Sequence, residues 1–391
     1  MIPPIHPVDD STYSLPNLAD SFPIDNEVIA YDDKDGHLVI QPDLYITERY
    51  KVESLLGQGT FGRVAKCWDK RALRYVAVKV IRAIPKYREA AKIEMRVLST
   101  LKKHDPLNLN KCIHMENDFE FNNHMCMSFD LMGPSLFDFL KSNQFQGFPF
   151  PHVQHFARQL LNSISFVHNL GLVHTDLKPE NILLLNGSYD EVKRKGSKVK
   201  HILKSTEIKL IDFGSATFED EFHSSIVSTR HYRAPEIILG MGWSYPCDLW
   251  SVGCILIELI TGDAMFQTHE NLEHLAMMAR ALGPLPKVMY ERASKTGKAY
   301  FKSSAELNYP NDETTKQSLK NVNGVKTVAK IVNRKGLLGD ALTDLITKLL
   351  TYEPEDRITA AQALEHPFFS LRLGLDGRIK HKKGLDMSSS N

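Results

Sequence analysis

The stretch LVHTDLKPENILLL, from Leu172 to Leu185, gathers an aspartate, a lysine and an asparagine in one short loop: Asp176, Lys178 and Asn181. Those residue types at that spacing suit phosphoryl transfer. An aspartate orients a hydroxyl and accepts its proton, a lysine neutralises the group in transit, and an asparagine oxygen holds a metal ion. A second carboxylate follows at Asp212 in IDFG, a hard oxygen ligand for Mg2+ bridging nucleotide phosphates. Upstream, GQGTFGRV sets Gly57, Gly59 and Gly62 at the spacing of a loop whose main chain approaches phosphates closely, since a missing Cβ leaves room. Alone, that glycine pattern also fits a dinucleotide site or a plain hairpin turn. A dinucleotide site needs the glycines to open a helix, whereas here they lead into another strand-like segment.

The next motif is VAVK. Its Lys79 sits on a β-branched stretch after the hairpin, where an ammonium reaches the α- and β-phosphates of ATP. A carboxylate must hold that lysine in place. Glu94, in AAKIEMRVL, is the favoured partner, with Glu89 as rival on the same helical stretch, nearer the end where an acid also serves the helix dipole. The segment opened by Asp212 closes at APE, Ala234 to Glu236.

These residues need elements to carry them. HLVI, YKVESLLGQGTFGRVAKCWDK, YVAVKVI and MCMSFDLMG alternate or cluster apolar letters as strands do, while YREAAKIEMRVLSTLKK has helical spacing. Beyond Gly133 the pattern turns helical, beginning with HVQHFARQLLNSISFVHNLG, which ends at Gly171 as a C-terminal cap. Short strands are expected around NILLL and EIKLIDFG, and a buried helix at SVGCILIELITG, too short to span a bilayer and interrupted by Glu258. The expected class is α+β, a small β-rich lobe over residues 50–131 and a larger helical lobe over 132–369, hinged near Phe129 to Gly133. A partly disordered extension, 1–49, precedes them and a basic tail, 370–391, follows.

A formal net charge of +1, with 24% charged and 42% hydrophobic residues, argues against a chain-wide nucleic-acid footprint. The 5 cysteines form no CxxC pair, which fits a reducing compartment, and neither a signal peptide nor a membrane segment is expected. The basic runs KRKGSKVKH and GRIKHKKG read as solvated loops.

Taken together and in order, these motifs resemble those of eukaryotic protein kinases over residues 50–369. Within them HTDLKPEN, STRHYRAPE (Ser228 to Glu236) and EHLAMMARALGPLP resemble the LAMMER, or CDC-like, group, although Ala279 stands where its signature has glutamate. The resemblance implies a bilobal kinase fold using ATP and Mg2+. It assigns Leu56, Gln58, Val64 and Ala77 to the nucleotide pocket, Phe129 as gatekeeper, and Asp130 and Leu131 to the adenine hinge. Thr229 would position the substrate hydroxyl beside Asp176 and Lys178, with Glu180, Ser228, Arg230 and Arg233 in the substrate and activation segment. Glu236 and Arg357 would form a buried ion pair, and Asp248 would brace the catalytic loop. It also implies phosphorylation of serine and threonine, autophosphorylation on tyrosine, arginine/serine-rich RNA-processing substrates, a monomer, and residence in nucleus and cytoplasm.

One letter departs from the usual loop. Most kinases carry arginine where this chain has Thr175. That arginine does no transfer chemistry but pairs with a phosphorylated activation loop, so the change is expected to alter regulation rather than competence. A pseudokinase would lack a lysine, the catalytic aspartate or a metal ligand, and none is missing. A small-molecule kinase fits the long segment between Asp212 and Glu236 less well. The apolar members of the signature helix, Leu272, Leu275, Met278 and Leu282, share one face, which reads mainly as packing.

Overall fold

The computed structural model describes residues 32–193, 199–302, 305–374 and 377–380. The leader up to residue 31, the centre of the first basic run and the tail beyond residue 380 lie outside them. The first lobe is a sheet of six strands: β1 (Tyr45–Ile46), β2 (Tyr50–Gln58), β3 (Gly62–Asp69), β4 (Arg74–Ile81), β5 (Met115–Phe121) and β6 (His124–Asp130). They pair antiparallel in the order β1-β2-β3-β4-β6-β5. Alternation decides which face each residue takes: in β4, Val76, Val78 and Val80 are buried while Ala77 and Lys79 lie on the opposite face.

Between β4 and β5 runs α1 (Pro85–His104), opened by a proline and carrying Lys102 and Lys103 in its last turn, whose charges suit the negative end of the helix dipole. It buries Ala91, Val97, Leu98 and Leu101 at helical spacing, together with Glu94. HLVI does not form a strand. Leu38 makes only an isolated bridge with Asp32, yet it is buried with Ile46, Tyr50 and Val52 in a small core, so residues 32–49 pack onto the sheet. The Asp32 carboxylate meets Nε2 of the buried His124 at 2.8 Å, tying this stretch to β6.

The strand β6 continues through Asp130, and the connection between lobes begins at Leu131. There the Gly133 N–H donates to the Leu184 carbonyl at 2.8 Å, and a Cβ on Gly133 would lie 2.9 Å from that oxygen. The second lobe starts with α2 (Leu136–Ser142), capped by Ser135, and α3 (Phe150–Asn169). Short paired strands then frame the loops of interest: β7 (Leu172–Val173), β8 (Ile182–Leu184), β9 (Tyr189–Lys193), β10 (Val199–Leu203), β11 (Ile208–Leu210) and β12 (Thr217–Phe218). The basic run read as a loop is flanked by a hairpin, because β9 and β10 pair from Lys193–Val199 back to Tyr189–Leu203.

After α4 (Pro235–Ile238) comes α5 (Pro246–Thr261), buried almost along its whole length, then α6 (Asn271–Leu282). Among the described residues no helix is long and apolar enough to cross a membrane. Leu275 and Met278 of α6 are fully buried and Ala279 packs against the core, so this helix is anchored by its apolar face.

One ion pair fastens the second lobe. Arg357 donates to both carboxylate oxygens of Glu236, at 2.7 and 3.0 Å, with both side chains out of solvent. Its guanidinium also donates to the Pro246, Thr351 and Tyr352 carbonyls, so every polar edge is matched. Removing one partner would leave a buried charge alone. Glu236→Ala is therefore expected to cost about 3–5 kcal/mol of stability, measured by urea unfolding. Joint replacement of Glu236 by Leu and Arg357 by Met should cost less than either single change, and a larger loss for the double variant would contradict this reading.

Candidate active site

Strand pairing brings the upper half of the site together. Val64 lies opposite Lys79 across β3 and β4, and Ala77 opposite Phe129 across β4 and β6. The hairpin between β2 and β3 holds the glycines. A Cβ on Gly62 would sit 2.1 Å from the Val80 carbonyl, so that position needs glycine for packing. At Gly57 and Gly59 a Cβ would meet nothing within 4 Å, and the open side of the hairpin there is free for a ligand's phosphates. Gln58 is held by the Arg63 guanidinium at 2.8 Å, Leu56 is half exposed, and Asp130 pairs with Arg74.

The Lys79 ammonium donates to both oxygens of Glu94, at 2.6 and 2.9 Å, and lies 3.7 Å from an Asp212 oxygen. Glu89 instead pairs with Lys92 on the exposed side of α1. Burial alone would pull the lysine down, but the carboxylates of Glu94 and Asp212 outweigh it and hold the ammonium above its ordinary value. It stays charged for phosphates.

Below it, Asp176, Lys178 and Thr229 form a closed triangle. The Asp176 carboxylate accepts from Lys178 Nζ at 2.7 Å and from the Thr229 hydroxyl and N–H at 2.7 and 2.9 Å, and Lys178 also donates to that hydroxyl at 3.1 Å. Burial pushes the Asp176 carboxyl up, yet the Lys178 and Thr229 hydrogen bonds prevail and keep it below the usual range. It is therefore ionised and aimed. Asn181 donates from its amide nitrogen to the Asp176 carbonyl at 2.9 Å, which fixes its side chain and leaves the amide oxygen as an acceptor.

Asp212 and Asn181 supply one carboxylate and one amide oxygen. Among the described residues no cluster of histidine, cysteine and carboxylates forms an all-protein metal cage. A short, hard-oxygen donor set fits an ion that keeps water and takes phosphate oxygens for its remaining positions, as Mg2+ does. Such an ion, when bound, would neutralise charge on the phosphates.

Thr175 has a role that its letter does not announce. Its backbone is left-handed, φ 68°, and it is buried. Both its N–H and that of His174 donate to Asp248, at 2.9 Å each. Its hydroxyl donates to the Ser215 carbonyl at 2.9 Å, and its own carbonyl accepts from Ser228 at 2.6 Å. Ser228, left-handed as well at φ 67°, is further held by Arg233 on its carbonyl at 2.8 Å. Arg230 donates to Asn271 at 2.7 Å. The neutral Thr175 thus joins both ends of the activation segment.

The remaining acids separate into two places. Of the run Glu219-Asp220-Glu221, Glu219 accepts from Ser244 at 2.8 Å and Glu221 pairs with Arg96 of α1 at 2.6 Å. None of the three enters the cleft beside the catalytic loop, which is lined instead by Glu180, Glu258, Asp263 and Glu273. Sequence reasoning missed the last three as site residues. The available signal was Glu258 itself, a lone acid inside an otherwise apolar helix.

A charged lysine over the cleft between lobes and an ionised, triangulated aspartate below it are what transfer of a phosphoryl group to a hydroxyl requires. Comparison with known proteins agrees. The family model described as "Protein kinase domain" matches residues 50–369. The chain is 49% identical over 369 residues to Dual specificity protein kinase lkh1 of Schizosaccharomyces pombe, covering 94% of this chain and 53% of that one. It is 50% identical over 345 residues to Serine/threonine-protein kinase AFC3 of Arabidopsis thaliana, covering 86% of each. It is 46% identical to human Dual specificity protein kinase CLK2, over 87% of this chain and 67% of that one. A crystal structure of a kinase domain superposes with a TM-score of 0.80 at 37% identity, covering 86% of this chain and 100% of the other. The chain belongs to the protein kinase family and, within it, to the LAMMER or CDC-like group of dual-specificity kinases. It spans about half the length of its fission-yeast relative.

Phosphoryl transfer depends on positioning and charge neutralisation, so Lys79→Met, Asp176→Ala and Asp212→Asn should each lower turnover on the order of a thousandfold in a peptide phosphorylation assay. Near-normal turnover by purified Asp176→Ala would overturn the assignment. Because Thr175 orders the activation segment without charge, phosphatase-treated enzyme should keep most of its turnover. A loss of about tenfold would show that a basic residue such as Arg230 has taken over a phosphate-docking role.

Proposed function

We propose that this kinase uses ATP with Mg2+ to phosphorylate serine and threonine residues set among arginines, with autophosphorylation on tyrosine. Its substrates on this reading are arginine/serine-rich splicing or RNA-processing factors, met in the nucleus and cytoplasm. In the transfer step the substrate oxygen bonds to the γ-phosphorus as the bond to the bridging oxygen breaks. ADP leaves, and the hydroxyl proton passes to Asp176. Lys79 holds the α- and β-phosphates, Lys178 neutralises the moving group, and Thr229 fixes the carboxylate's angle.

The observation that carries the arginine reading is the Glu180 side chain. It lies four residues past Asp176 in the same loop, and its Oε2 is buried with no hydrogen-bond partner. Burial raises its carboxyl above the ordinary value despite the nearby charge of Lys178, a cost that a cation placed on it would relieve. A guanidinium supplies two parallel N–H donors to a carboxylate, whereas a lysine offers a point charge.

Peptides differing only in Arg or Lys beside one serine should therefore differ in kcat/KM by about 1–3 kcal/mol in favour of arginine. Added salt should reduce the preference, and Glu180→Ala should abolish it. Equal turnover of both peptides by the wild type would refute arginine reading. Imaging of a fluorescent fusion tests the compartments, and exclusion from the nucleus would remove splicing factors as substrates.

A further inference from the structure

The glycine hairpin between β2 and β3 is held from a part of the chain that precedes the kinase match, which begins at residue 50. Gly57 and Gly59 face open space. Glycine backbone loses more freedom on ordering than any other, so such a hairpin needs outside ties to keep one angle over a ligand. Within the hairpin, the Gly59 N–H donates to the Gly62 carbonyl at 2.9 Å. Two arginines supply ties from outside, and both lead to residues 32–38.

Arg63, on β3, bonds in three directions. Its Nε donates to the Gln58 side-chain oxygen at 2.8 Å, Nη1 to the Leu38 carbonyl at 2.7 Å, and Nη2 to the Asp33 carboxylate at 2.8 Å. The side chain is only 16% exposed, so water and salt screen these bonds less than those of a surface pair. Arg82, just past β4, repeats the arrangement. Its backbone N–H donates to the Phe61 carbonyl at 3.0 Å, and its Nη1 to the Thr60 carbonyl at 3.4 Å and the Tyr87 hydroxyl at 3.2 Å. Its Nε donates to the Asp35 carbonyl at 2.8 Å, and the next N–H, of Ala83, to the Gly36 carbonyl at 3.0 Å. The Phe61 ring meets the Tyr87 ring of α1 edge to face, with centroids 5.7 Å apart.

Residues 32–38 serve as a fixed point because they are anchored themselves. Asp33 Oδ1 accepts from the N–H groups of Asp35 and His37, at 2.9 and 3.0 Å, which closes a turn. Asp32 is bonded to the buried His124, and Leu38 is packed in the small core. A guanidinium has separate edges for the hairpin and for this turn, whereas an ammonium concentrates its donors at one point.

We infer that residues 32–38 are a working part of the nucleotide site, and that Arg63 and Arg82 are positioning residues that pass their fixed placement to the hairpin. The inference rests on ATP as the phosphoryl donor. The ties end on Gln58, Thr60 and Phe61, at the phosphate end of the site, so their effect falls on the phosphates rather than on adenine.

The test is steady-state kinetics of the full chain with ATP varied and adenosine, which lacks the phosphates, as a competing ligand. Asp33→Asn is the first variant. Its amide keeps the oxygen that closes the turn and puts an NH2 group where the other oxygen met Arg63. Arg82→Lys, which keeps charge and loses the fork, is the second. Each should raise KM for ATP about fivefold, within the range of one hydrogen bond. KM for the peptide and the inhibition constant of adenosine should stay at their wild-type values. Arg63→Lys should raise KM for ATP as Asp33→Asn does, and combining the two should add little, because both cut the same tie. Unchanged KM for ATP in Asp33→Asn or Arg82→Lys overturns the inference, as does full additivity of Asp33→Asn with Arg63→Lys. Equal losses for ATP and adenosine would assign these residues to support of the whole sheet and overturn it too. Should Arg82→Lys fail to fold, Asp33→Asn, which leaves the turn's own bonds in place, decides alone. If adenosine does not compete with ATP in the wild type, the donor reading and the inference fall together.

Discussion

The carboxylate of Asp248 holds the catalytic loop in a shape the chain would not choose. It is buried in α5 and accepts from the N–H groups of His174 and Thr175 and from Nε2 of His168, each at 2.9 Å. A left-handed threonine costs on the order of 1 kcal/mol or more, and these bonds over-determine it. The residue after that strained position is Asp176. Its direction, and hence its contact with Lys178 and Thr229, follows from the turn that Asp248 stabilises. Asp248 is placed in turn by α5, whose first carbonyl, Pro246, is bonded by Arg357 of the buried pair with Glu236. Residues far apart in sequence thereby share one rigid frame.

Above the cleft the frame is lighter. The tie between lobes runs through Lys79, which answers to Glu94 on α1 and to Asp212 on the loop below. Asp212 is itself left-handed, φ 62°, as are Thr175 and Ser228, so three strained non-glycine positions border the site. Two residues beyond Glu94, Arg96 pairs with Glu221 and lies over the Phe218 ring, 4.8 Å from its centroid. As a half-exposed pair it contributes at most about 1 kcal/mol. Its effect is to give α1 and the activation segment a shared contact close to Glu94. Neutral bonds at Thr175 and this modest pair are what tie the activation segment to the catalytic loop and to α1.

Much of this was legible in the letters. Periodicity predicts the valine-rich β4 and the amphipathic α1, and residue type at fixed spacing points to Lys79, Asp176, Asn181 and Asp212. HLVI fails because alternation describes a half-buried surface, and Leu38 is buried by a single bridge and its neighbours rather than by a ladder. The centre of the basic run from Lys193 lies outside the described residues, while its ends join the β9–β10 hairpin, a pairing its high charge does not announce. The acidic cleft was hidden for a deeper reason. Glu180 comes from the catalytic loop, far in sequence from Glu258, Asp263 and Glu273, and those three sit at irregular spacing on two helices and the turn between them, so nothing local marks the four as neighbours. The acids that are adjacent in sequence, Glu219 to Glu221, are the ones that turn elsewhere.

That contrast bears on what net charge can say. A chain with formal charge +1 has almost no field at a distance, yet it sorts its charges so that one cleft is lined by four acids and by no lysine or arginine. Sorting has an electrostatic consequence. Burial first, offset in part by the Tyr232 hydroxyl and then reinforced by Glu180 and Asp263, raises the Glu258 carboxyl to about 7. Below that pH Glu258 carries a proton, and above it the carboxylate is ionised and accepts from the Tyr232 hydroxyl. A positive charge placed beside Glu258 would favour the ionised form, so binding a cation there near that pH would release a proton. The same acids repel one another, as the effect of Glu180 and Asp263 on Glu258 shows, and a nearby positive charge would relieve them. A ligand bringing fixed positive charge gains from both, whereas a neutral side chain gains from neither.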